Sequence, residues 1–157
     1  MTMKTLLSLP VLLPKKIASY FQWAGPLVAR LTVGYVFMAT GWGKLQNLPK
    51  VTEFFANLGI PAPEILTPFV AGLECFGGLF LMLGLLTRLS AGGLAVTMIV
   101  AILTAKWAEI DSLFTLLGFE ETLYLTIFTW LAISGAGKAS LDYFLVEKHA
   151  PAKESAI

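Results

Sequence analysis

Apolar residues dominate four stretches of the chain, at 26–45, 65–86, 89–105 and 122–137, separated by charged, glycine- or proline-containing segments. A bilayer core about 30 Å thick takes roughly 20 residues of helix, with a range of about 17–25. The first three stretches reach that range; the fourth is short and can begin inside the preceding segment. Backbone N–H and C=O groups cannot go unpaired in hydrocarbon, so these stretches predict helices. No period-2 alternation supports barrel strands. The predicted fold is all-α: a polytopic membrane protein built as a four-transmembrane-helix bundle.

The connections differ in kind. Residues 46–64 hold Asn-Leu-Pro-Lys and Gly-Ile-Pro-Ala-Pro-Glu, a loop with a proline-fixed turn in which 51–58 predicts a short amphipathic helix. Thr87–Arg88 is a minimal turn that makes the second and third helices an antiparallel hairpin. Residues 107–121 form another loop, whose apolar run 113–119 is too short to span and is expected to lie in the interface or re-enter.

Two helix faces are readable. At 100° per residue, Arg30, Gly34, Phe37, Gly41 and Lys44 fall within about 40° of one line on the first helix. Two glycines on that line would let another helix approach closely. On the second helix Glu74 shares a sector with Val70, Gly78, Leu81 and Leu85, with Gly77 at its margin. Small residues beside an acid place it against protein, although glycine is frequent in membrane helices for packing alone.

Composition agrees with this pattern. The chain has 157 residues, 57% hydrophobic and 13% charged, with mean hydropathy +0.78; a soluble domain carries about 25% charged residues. A net charge of +1 offers no basic field for nucleic acid. The length allows one transmembrane domain, expected at 26–142, between an N-terminal segment 1–25 and a polar tail 143–157. The N-terminal apolar run is interrupted by Pro10 and Pro14 and followed by Lys15 and Lys16, with no A-x-A site close by. It is expected to rest on the membrane surface rather than to be cleaved as a signal peptide.

Orientation follows from lysine and arginine. Lys4, Lys15, Lys16, Arg88, Lys138, Lys148 and Lys153 fall on the side of the termini, against Lys44, Lys50 and Lys106 on the other. Both termini are therefore expected in the cytoplasm. Trp23, Trp42 and Trp107 lie near predicted span ends, as an interfacial belt requires.

The candidate chemistry is sparse. Glu74 lies in ILTPFVAGLECFGGLFLMLGLL, where only the Cys75 thiol is also ionisable. An embedded carboxylate costs several kcal/mol unless paired, hydrated or protonated, so it is a candidate functional residue. Helical rise puts Glu74 about 14 Å below the loop end of its helix, roughly 10 Å in height from both Arg30 and Lys44. These three residues are the candidate intramembrane polar cluster, with Arg30 or Lys44 as countercharge; either base can instead snorkel to headgroups. A second candidate cluster at the outer loops joins Lys106 and Glu121, beside Glu109 and Glu120. The acids at the start of the fourth helix also suit its dipole. Cys75 is either a redox thiol or, as buried single cysteines generally are, an inert small apolar residue. The one histidine, His149, lies on the tail; no metal site is expected.

The order Arg30 … Gly41-Trp-Gly-Lys44, Phe54, Gly59-Ile-Pro61, Glu74 … Gly77-Gly78 … Gly84-Leu-Leu-Thr-Arg88 and Ser134-Gly-Ala-Gly-Lys-Ala-Ser-Leu-Asp142 resembles the DoxX family of small four-helix membrane proteins. The resemblance covers roughly residues 30–142. It implies a multi-pass protein of the cytoplasmic membrane, with Arg30, Lys44, Glu74, Arg88, Asp142 and Glu121 at the family's polar positions. It also implies a membrane or accessory subunit of a quinone-linked or thiol and sulfur redox system, working with a soluble or membrane redox partner. One cysteine and one histidine supply neither a dithiol pair nor a haem or copper ligand set, so a complete oxidoreductase is not expected from this chain alone. Two other classes stay open: a small proton-coupled transporter or channel using Glu74, and a non-catalytic assembly factor. A non-covalently bound quinone and a homo-oligomer are compatible with the sequence; the catalytic residues are undefined by it.

Overall fold

The computed structural model describes residues 18–147, and its elements are helical, with no strand among the described residues. The N-terminal surface segment 1–17, the tail 148–157 and His149 lie outside them. The helices are α1 (Ala24–Gln46), α2 (Leu48–Asn57), α3 (Pro63–Leu83), α4 (Thr87–Ala101), α5 (Leu113–Gly118) and α6 (Glu120–Ser134). The α3 and α4 spans start earlier than expected, because Pro63 seeds the first turn of α3 and a cap described below starts α4 at Thr87. A π-helical turn, Ile102–Lys106, and a 3-10 turn, Trp107–Glu109, prolong α4 beyond Ala101. Of the described helices, Pro63–Leu83 and Thr87–Glu109 are long and apolar enough to cross a membrane. The fourth apolar stretch begins at Glu120 and stops at Ser134, where Gly135 takes a positive φ.

The loop 46–64 contains the amphipathic helix its pattern predicts, as α2. The α3–α4 turn is Gly84–Leu86, not Thr87–Arg88, which belong to the first turn of α4. Gly84 caps α3 in the left-handed conformation at φ +66°. The apolar run 113–119 folds as the short α5, with Leu113, Phe114 and Leu117 exposed. Before it, the exposed Asp111 carboxyl is held below the usual carboxylate range by hydrogen bonds from Thr115 and Ser112.

The main packing pairs are α1 with α3 and α4 with α6, closed by α3 with α4 and α1 with α6. The buried side of α1 is Arg30, Val33, Gly34, Phe37 and Gly41, the face read from its periodicity. It runs antiparallel to α3: Arg30 meets Leu81, Gly34 meets Gly78 and Met82, and Gly41 meets Ala71 and Cys75. A Cβ at Gly34 would lie 2.8 Å from Met82 Cγ, and one at Gly41 would run into Cys75 backbone. The two backbones touch because glycine is there. Gly77 is different: its missing Cβ would meet the Leu94 side chain at an ordinary 3.5 Å. Val33, Phe37, Leu81, Leu94, Phe128 and Leu131 form the apolar centre, with the Phe37 ring edge-on to Tyr124 at 5.1 Å and to Phe128 at 4.8 Å.

Candidate functional site

The antiparallel register decides which base faces Glu74. It puts Glu74 opposite residue 40, one turn from Lys44, and Lys44 Nζ donates to both Glu74 oxygens at 2.6 Å. The Glu74 side chain is 4% exposed and that of Lys44 33%. The carboxylate is thus fixed inside the protein, while the ammonium reaches in from the loop end.

Arg30 does not join them. It is fully buried, which also rules out snorkelling, and sits against Leu81, seven residues or about 10 Å along α3 from Glu74. Its Nη1 donates to Leu81 O at 3.3 Å and its Nη2 to Ala139 O at 2.6 Å, with the Asp142 carboxylate close enough to act as countercharge. Asp142 accepts from the N–H of Leu86 at 2.7 Å and of Thr87 at 2.9 Å. An anion on these unpaired donors caps α4. Arg30 and Asp142 therefore tie the segment after α6 to both helices of the hairpin. This is a structural lock at the turn end, and a Cβ on Gly84 would collide with Arg30. Arg88 is exposed.

The outer cluster separates as well. Lys106 pairs with Glu109 at 3.1 Å, one helical turn away, and its Nζ stands 5.6 Å above the Phe119 ring. Glu121 is half-buried and faces elsewhere: it lines a cavity of about 650 Å³ that also contains Lys44 and Glu74 in its wall. Cys75 is buried and its backbone packs on Gly41; it does not line that cavity. No group of three or more metal-binding side chains occurs among the described residues.

The cavity occupies the loop-end half of the helices and is mostly apolar. Val36, Phe37 and Thr40 of α1, Leu66, Phe69, Val70 and Leu73 of α3, and Val96, Thr97, Val100 and Thr104 of α4 form its sides. Phe54, Phe55, Leu58 and Ile60, from α2 and its following loop, cover the loop end, and Tyr124 and Glu121 of α6 close the fourth side. Phe69, Val96 and Val100 are also exposed, so the cavity reaches the surface between α3 and α4, beyond the level where Gly77 meets Leu94 and Leu73 meets Gly93. Sequence periodicity found Lys44 and Glu74, and the amphipathic pattern found α2. Tyr124, Thr40 and Thr97 carried no signal, since an isolated tyrosine or threonine in an apolar run reads as packing.

An ion pair with a buried carboxylate, in the wall of an apolar, side-opening cavity and on helices of which two are long and apolar enough to cross a bilayer, describes a small all-helical protein with a polar centre of its own. The family model DoxX matches residues 25–107. The chain belongs to the DoxX family. It is 31% identical over 123 residues to "Putative oxidoreductase CatD" of Bacillus subtilis (strain 168), covering 77% of this chain and 87% of that one. It is 35% identical over 128 residues to "Inner membrane protein YqjF" of Escherichia coli (strain K12), covering 79% and 94%. No solved structure matches the chain.

Proposed function

We propose that the protein is a four-span subunit of the cytoplasmic membrane, both termini inside, that binds a quinone or quinol headgroup at Lys44–Glu74 and exchanges electrons through a partner redox protein. The cavity carries this reading: it is apolar, opens sideways and has one charged pair in its wall. A quinone is an apolar ring with polar oxygens and an apolar tail. Two of the three Lys44 donors are used on Glu74, leaving one for a ligand carbonyl, and the Glu74 oxygens keep acceptor capacity for a ligand hydroxyl. The gap between α3 and α4 suits a tail lying in lipid. The lysine and arginine distribution supports the orientation, and the names of the two relatives support an inner-membrane, redox-linked role.

The test is saturable binding of decylubiquinone to the protein in nanodiscs, with mass spectrometry of the co-purified lipid. Wild-type protein is expected to enrich quinone over bulk lipid, and Lys44→Met, which removes the donor to the quinone carbonyl, to weaken binding about tenfold, the effect of one lost charged hydrogen bond. Non-saturable partitioning, equal in both proteins, would overturn the reading. A proton-coupled transporter is the second reading, because the same cavity joins Glu74 to Glu120 and Glu121 near the loop end. It requires substrate flux in liposomes that Glu74→Gln abolishes.

A further inference from the structure

The Lys44–Glu74 pair is one pole of the cavity; the α6 wall carries another. Phe37 on α1 packs between Tyr124 and Phe128 on α6, so that level is shared by the two helices. The two helices run antiparallel, since the turn end of α1 holds Arg30 against Ala139 and Pro26 beside Gly137. Counting from the shared level toward the loop end at 1.5 Å per residue, Glu121 lies about 7 Å along α6. The residue-40 level of α1, opposite Glu74, lies about 5 Å along. Glu121 and Glu74 are therefore at one depth, within a helical turn, on opposite walls of a single cavity.

Their states differ. Glu74 is neutralised by Lys44. The Glu121 carboxylate and the Tyr124 hydroxyl have no hydrogen-bond partner among the described residues, although both line the cavity. Tyr124 is one turn from Glu121, so the two polar tips lie on the same side of α6. Lys106, grouped with Glu121 in the candidate outer cluster, pairs with Glu109 instead. An unpaired acceptor in a largely apolar wall is left for whatever fills the space.

Resting on the quinone reading, we infer that Glu121, with Tyr124, is the second recognition pole of the site and selects aromatic ligands bearing hydroxyls at both ends of the ring. A para-dihydroxy ring places one hydroxyl at Lys44–Glu74 and donates the other to Glu121. A monohydroxy ring of the same shape fills the cavity and leaves Glu121 unpaired. Discrimination then comes from the half-buried Glu121 acceptor rather than from the apolar contacts, which both ligands make equally.

The experiment compares 2-decylhydroquinone with 3-decylphenol, the same ring and tail lacking one hydroxyl, by calorimetric titration of nanodisc-embedded protein. Wild type is expected to prefer the hydroquinone by about tenfold, the effect of one hydrogen bond to a charged group. Glu121→Ala is expected to abolish the preference while leaving the phenol Kd unchanged, and Tyr124→Phe to reduce it; thermal melts verify that both variants are folded. If Glu121→Ala does not fold, Glu121→Gln and Tyr124→Phe carry the test, each expected to narrow the preference. If both ligands bind but wild type shows no preference, or the folded variants retain it, Glu121 is not the second pole and the quinone reading stands. If neither ligand binds saturably, both fall.

Discussion

Lys44→Met keeps the length and apolar bulk of the side chain and removes its charge. Glu74, 4% exposed, then loses both hydrogen bonds in one substitution. Two unit charges about 3 Å apart at an effective dielectric near 20 attract by roughly 5 kcal/mol. Desolvation of the carboxylate cancels part of that, and solvent at the Lys44 end, 33% exposed, screens more. A net loss of about 2–3 kcal/mol is expected. Glu74→Gln should be milder, about 1 kcal/mol, because the amide oxygen still accepts one bond and Lys44 can turn toward the loop end. The double variant leaves neither charge stranded and should lie within about 1.5 kcal/mol of wild type, a coupling near 2 kcal/mol. Equilibrium unfolding in mixed micelles, followed by tryptophan fluorescence and circular dichroism, measures all four corners. A Lys44→Met protein as stable as wild type, or an additive cycle, would refute the reasoning.

Two further substitutions probe the packing. Gly41→Ala drives a Cβ into Cys75 and to 2.9 Å from Ala71 O, while Gly77→Ala meets only the Leu94 side chain at 3.5 Å. In the same unfolding assay the first is expected to cost about 2–3 kcal/mol and the second under about 0.5 kcal/mol. Asp142→Ala removes the acceptor for Leu86 and Thr87 N–H and the carboxylate near buried Arg30. It should cost about 1–3 kcal/mol and speed hydrogen exchange at those two amides while leaving quinone binding intact.

Much of this architecture is legible in the sequence, because the signals are local. The α1 face, the amphipathic α2 and the acid of α3 follow from spacing alone. The pairing is not local. Glu74 stands at similar heights from Arg30 and Lys44, and only the glycine-set register between α1 and α3 chooses Lys44. Arg30 was opaque because its direct partners are backbone carbonyls, at Leu81 and Ala139, which every residue possesses. Glu121 was read beside Lys106 because both belong to outer connections; the turns that prolong α4 give Lys106 to Glu109 instead. The cavity has no sequence signature. It arises where α3 and α4 part beyond the Leu73–Gly93 contact and α2 folds over the gap.

The most direct measurement is photo-crosslinking with an azido-quinone in native membranes, mapped by peptide mass spectrometry. Binding at Lys44–Glu74 predicts saturable labels on cavity residues such as Thr40, Leu73, Thr97 and Tyr124, competed by decylubiquinone and weakened in Lys44→Met. Labels confined to exposed side chains away from the cavity, such as Val28, Leu31 and Ile133, without competition, would contradict it.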